Sequence, residues 1–274
     1  MTISNEPKID CHAHVFDPVR FPYREDNPYK PSGQEIGTAA QLAAVMSAYG
    51  VTNALLVQPN SGYGSDNRCM IDAIAQSDGR LKGIAIIGFD DDVLTLRRYK
   101  EQGIVGAAFN PTFHGTDYYK ESLGLIRRLA DLDMFLQLQV ERDQLLMFVP
   151  WIERVPVKVL IDHCGRPTPE ERLGQPGFRA LLSLARTGRV SVKLSGYPKF
   201  AREPYPFIDA QPFVRALTGA FSLDHCMWAS DWPYLRAPER QDYGPLLALA
   251  AALFPDAAER RKLFYDTPRR LFGF

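Results

Sequence analysis

The sequence predicts an α/β protein of the (β/α)8 barrel class, and three observations carry that prediction. Short β-branched or apolar runs alternate with helical patterns, the runs number eight, and they fill 274 residues without a long polar linker or low-complexity tract. This length suits one barrel, so residues 1–274 are expected to form a single domain.

Strand one runs from Ile9 to His12 and leads to the helical segment "AAQLAAVMSAYG", whose glycine marks a helix C-terminus. Ala54 to Asn60 makes strand two, followed by "NRCMIDAIAQ", and Leu81 to Ile87 makes strand three. Strand four, Val105 to Asn110, precedes "LGLIRRLADLD"; strand five is Met134 to Val140. Strand six, Val157 to His163, is followed by "PGFRALLSLARTG", again stopped by glycine. Val190 to Gly196 and Cys226 to Asp231 complete the set.

Charge and cysteine usage narrow the partners. Lys plus Arg and Asp plus Glu each number 32, so the net charge is zero and no basic field exists to hold nucleic acid or anionic lipid. A small molecule is the expected partner, and the chain is expected to act as a monomer or homo-oligomer. Cys11, Cys69, Cys164 and Cys226 lie far apart without CxxC spacing, as reduced thiols do. The start "MTISNEPKID" lacks a charged segment followed by an apolar one, and no apolar run approaches the roughly 20 residues that span a bilayer. A cytoplasmic protein is expected.

In a (β/α)8 barrel the catalytic groups come from the C-terminal ends of different strands. Positions two apart share a strand face. His12 and His14 are so paired, as are Gln58 with Asn60, Gln137 with Gln139 and Glu141, and Lys193 with Ser195, while His163 and Asp231 close strands six and eight. Two imidazoles with a further His and Asp make a cluster of metal-ligand or acid–base type. Read singly, a histidine in an apolar strand is a hydrogen-bonded core residue, and Asp231 before Pro233 is a helix N-cap. Convergence of strand ends favours chemistry.

At these residues the chain resembles the amidohydrolase superfamily, and within it the lactone hydrolases typified by 2-pyrone-4,6-dicarboxylate lactonase. "DCHAHVFDP", "FPY", "YKP", "LLVQP", "GSDN", "LIDHCGRP", "WASDWP" and "DTPRRLFGF" carry the resemblance over nearly the whole length, and "DHCGRP" and "WASDWP" are the specific motifs. It implies a barrel of amidohydrolase type and a hydrolase that opens a lactone ring. Asp231 is then the general base toward water, with His163, His12 and His14 orienting water, polarising the carbonyl or moving protons.

Binuclear members of the superfamily carry a lysine on strand four and a histidine on strand five, where this chain reads "AAFNP" and "LQLQVE". A two-metal centre is not expected. The resemblance implies a metal-free reaction, and His12, His14, His163 and Asp231 offer at most one ion, such as zinc, a site. Arg166 matches one of several arginines that hold a dicarboxylate, but Ala108 replaces another and Gln139 stands in place of a phenol. The implied substrate carries one carboxylate or mostly hydroxyls: a sugar-acid lactone or a muconolactone relative, held by Tyr29, Asn110, Gln139 and Arg166. Arg166 also admits a structural reading, paired with a neighbouring carboxylate.

Three other residues carry less. Cys164 follows His163 directly, and adjacent strand residues face opposite sides, which argues against a Cys–His nucleophile. His114 falls in a loop, solvated, and His225 at the N-terminal end of strand eight, where residues serve stability. Two other activities share the His and Asp pattern: a zinc-dependent decarboxylase of the same superfamily and a lactone isomerase.

Overall fold

A computed structural model describes residues 3–274. Met1 and Thr2, part of the start read above for a leader, lie outside the described residues. Eight strands form one sheet in the order β1 to β8, the order of the (β/α)8 class. They are β1 (Lys8–Ala13), β2 (Val51–Val57), β3 (Leu81–Ala85), β4 (Ile104–Phe109), β5 (Phe135–Leu138), β6 (Lys158–Ile161), β7 (Val190–Leu194) and β8 (Cys226–Trp228). All eight expected strands are present. β2 starts three residues before Ala54, because Gly50 ends the preceding helix in a left-handed conformation and Val51 and Thr52 extend at once. Most strands stop before their expected ends, so Asn60, Ile87, His163, Gly196 and Asp231 stand in the segments just beyond the ladder.

The chain divides into two compact units. Among the described residues, the first comprises 3–86, Tyr99–Val105 and Trp228–Phe274. Here β1, β2 and β3 pair in parallel, Ala13 bridges Trp232, and Ile9, Leu55, Leu56 and Phe264 are fully buried. The helix Ala39–Tyr49 begins with a reciprocal cap between Thr38 and Gln41 and buries Leu42 and Met46, each contributing about 1.5–3 kcal/mol.

The second unit comprises Ile87–Arg98 and Gly106–Met227. Parallel pairing runs from β4 through β5 and β6 to β7. Phe109 stacks on Tyr119 at 4.6 Å with Phe148 beside them, and the helices Leu123–Asp131, Pro176–Leu184 and Gln211–Phe221 bury Leu129, Leu181 and Leu217. No helix among the described residues is long and apolar enough to cross a membrane. All four cysteines are buried and outside disulfides.

Candidate active site

Strand β1 carries the histidine pair and the segment after β8 brings the carboxylate. Past Trp228 the chain runs on beside β1: Asp231 N–H donates to His12 O at 2.9 Å, and His14 N–H donates to Trp232 O at 2.8 Å. Asp231 Oδ1 thereby lies 3.8 Å from His12 Nε2 and 3.6 Å from His14 Nε2. The two rings meet edge to face with centroids 4.9 Å apart. His12 is fully buried, and His14 and Asp231 nearly so. The Nδ1 of His14 is engaged by Val57 O at 2.7 Å, which fixes the ring with Nε2 toward the carboxylate.

Asp231 has φ of +62°, a left-handed conformation that Asp and Asn tolerate better than other side-chain-bearing residues. No helix starts there. The next begins at Tyr243, so the helix-cap reading of Asp231 is removed. Beneath the cluster, the fully buried Asp10 accepts hydrogen bonds from Ser230 N–H at 2.9 Å, Ser230 Oγ at 2.6 Å and Tyr243 OH at 2.9 Å. Burial pushes its carboxyl above the usual range, and these bonds pull the other way.

In the second unit β6 ends at Ile161, and His163, Cys164, Gly165 and Arg166 follow with φ of +51°, +58°, +74° and +43°. A left-handed turn of this kind costs about 1–2 kcal/mol at each non-glycine residue, and such strain concentrates at functional sites. It seats the His163 ring against Gly196, with Nδ1 3.1 Å from Ser195 Oγ. Below the turn, Lys193 Nζ meets Asp162 Oδ1 at 3.0 Å and Gln137 Oε1 at 2.6 Å, while Gln137 Nε2 donates to Asp162 Oδ2 at 2.8 Å. All three side chains are buried. This triangle absorbs Gln137 and Lys193, which the strand pattern had grouped with the converging polar residues.

Each remaining expected residue has a definite setting. Asn110 and Gln139 are joined through Thr112, whose hydroxyl donates to Asn110 Oδ1 at 2.5 Å and receives Gln139 Nε2 at 3.1 Å. Tyr29 OH is bonded to Glu35, and the Arg236 guanidinium lies 3.9 Å over its ring; burial, then Glu35, pushes the phenol up to about 12. Arg166 ends the left-handed turn, half-buried. Cys164 lies in the turn rather than in a strand, so strand alternation does not set its direction; its Sγ meets Ser195 O at 4.0 Å, and burial pushes its thiol up to about 12. His225 Nδ1 meets Ser191 Oγ at 3.2 Å, a structural contact. The sequence reading grouped Ser195 with the converging polar residues but missed Asp10, Glu35, Arg236 and Thr112 as site neighbours; of these only Asp10, inside "DCHAH", stood in a quoted motif.

His12, His14 and Asp231 each offer a ligand atom within 4.8 Å of the others. With His14 Nδ1 held by a carbonyl, this donor set fits a single divalent ion of the zinc type.

The chain matches the amidohydrolase family model over residues 9–274. It is 34% identical over 279 residues to a 4-sulfomuconolactone hydrolase of Rhizobium radiobacter, covering 96% of this chain and 89% of that one. A 2-pyrone-4,6-dicarboxylate hydrolase of Comamonas testosteroni is 27% identical over 277 residues, with 96% and 89% covered. A solved Acinetobacter baumannii structure, called a probable 2-pyrone-4,6-dicarboxylic acid hydrolase with citric acid bound, superposes with a TM-score of 0.88 at 27% identity over 97% of this chain and 99% of that one. The protein belongs to the amidohydrolase family, with the (β/α)8 fold of that family.

Proposed function

We propose that the protein hydrolyses the ring ester of a small lactone with water activated at Asp231. Asp231 carries this reading, because its Oδ1 lies within 4 Å of two imidazole Nε2 atoms in a nearly dry setting. The carboxylate takes a proton from water as the water oxygen bonds to the lactone carbonyl carbon. His12 and His14 orient that water and polarise the carbonyl. The ring C–O bond then breaks, and the leaving oxygen takes up a proton, leaving a hydroxy acid. His163, its Nδ1 side taken by Ser195, is assigned to proton transfer on the strength of the family motif.

Asn110, Thr112 and Gln139 offer neutral amides and a hydroxyl, and Ala108 stands in place of an arginine, which supports a ring with one acid group or mainly hydroxyls. Tyr29 and Arg166 complete the proposed substrate contacts. We place the protein in the cytoplasm, in keeping with four buried cysteines outside disulfides. If a zinc ion is bound, His12, His14 and Asp231 would hold it, and it would supply Lewis-acid polarisation and a more acidic water.

A panel of lactones in water enriched in oxygen-18 tests the proposal, beginning with muconolactone-type rings bearing one anionic group. One labelled oxygen enters the carboxylate of the product if ring opening is hydrolytic. A product without label is that of an isomerase, and release of carbon dioxide from a carboxylated substrate is that of a decarboxylase; either result overturns it.

A further inference from the structure

The period of a strand places residues two apart on one face, yet Asp10 and His12 point to opposite sides of β1. Asp10 pairs with Ala54 and Ala13 with Leu56, so three steps of β1 oppose two of β2. This one-residue bulge reverses the alternation. Ala54 and Leu56 share a face, so Asp10 and Ala13 share one too, and His12 joins His14 on the other. Asp10 accordingly reaches Tyr243 on the helix Tyr243–Leu253, while His12 faces Asp231.

A bulge leaves ladder donors without strand partners. Here one carboxylate takes them. Asp10 Oδ1 accepts from His12 N–H at 3.2 Å and from Ser230 N–H at 2.9 Å; Oδ2 accepts from Ser230 Oγ at 2.6 Å and Tyr243 OH at 2.9 Å. Ser230 Oγ in turn receives Trp232 N–H at 3.0 Å. The backbone N–H groups of His12 and Ser230 thus converge on one carboxylate, and that of Trp232 is tied to it through Ser230 Oγ.

We infer that Asp10 is the positioning residue of the site: it holds the β1 bulge that turns His12 toward Asp231. Its consequence for turnover rests on the lactone hydrolysis proposed above; its consequence for His12 does not.

The test compares Asp10→Ala and Asp10→Asn with the wild type by lactone kinetics, thermal unfolding and 15N signals of the imidazole rings at fixed pH. In Asp10→Ala the His12 ring signals shift or broaden while those of His163 stay, and kcat falls at least about 30-fold with KM within about threefold. Asn keeps Oδ1 for the two N–H groups and donates from Nδ2 to the two hydroxyls, which can turn round, so Asp10→Asn recovers kcat to within about fivefold. Should the alanine variant not fold, Asp10→Ser carries the same arms, since its cavity admits a water to the stranded N–H groups. Unmoved His12 signals in a folded Ala or Ser variant overturn the inference, as does an Asn variant as impaired as they are. A lactone reading that fails shows instead as absent turnover in every form, wild type included, with the His12 arm still readable.

Discussion

At the scale of single residues, Gly196 shows how one missing methyl group shapes the site. Its φ is +64°, and a Cβ there would stand 2.4 Å from both Cγ and Nδ1 of His163. Both facts forbid a side chain. Gly196→Ala is predicted to cost about 1–2 kcal/mol from backbone strain alone and to unseat the ring, lowering turnover about tenfold or more. Thermal unfolding with kinetics checks it, and wild-type values on both would count against His163 as a working residue. His12, His14, His163 and Asp231 were legible because their residue types are rare in apolar runs and recur at strand ends. The left-handed turn at His163 was not, since only Gly165 among its four residues announces positive φ.

At the scale of elements, the eight strands were legible because β-branched and apolar runs are separated by helical patterns. Their ends were not. Polar residues continue the extended backbone past the last ladder bond, so composition merges a strand with the loop that carries the chemistry. The β1 bulge was equally hidden, because it depends on pairing with β2, and Asp10 looked like an ordinary neighbour of His12. The Lys193–Asp162–Gln137 triangle makes an element-scale prediction, tying β5, β7 and the segment after β6. Lys193→Met removes the cation beside a buried carboxylate and should destabilise the fold by about 3–5 kcal/mol, read as a lower urea midpoint. A loss below about 1 kcal/mol would mean that the triangle is not a structural tie.

At the scale of the molecule, Glu6 and Arg260 join distant parts of the chain by a bidentate pair, with Nη2 to Oε1 at 2.6 Å and Nε to Oε2 at 3.0 Å. Hydrogen bonds from Arg260 hold the Glu6 carboxyl below its usual range, against burial, which acts in the opposite sense. A carboxyl depressed in the folded state stabilises above its unfolded value of about 4.3, and the contribution disappears as pH falls through the lower folded value. Glu6→Gln is therefore predicted to lower stability by about 1 kcal/mol near neutral pH, with the difference closing in more acidic solution. A gap in Tm that does not change between pH 7 and pH 3 would contradict that origin.

Family membership fixes the fold, but the central claim is that Asp231 accepts the proton of the attacking water. Asp231→Asn tests it most directly, because Asn keeps the shape and tolerates the left-handed backbone while losing the negative charge. On a lactone that the wild type hydrolyses, kcat is predicted to fall about a hundredfold or more, on the order of 3 kcal/mol in transition-state stabilisation, with KM and Tm little changed. Near wild-type kcat in a folded Asp231→Asn protein would contradict the account and remove Asp231 from the mechanism.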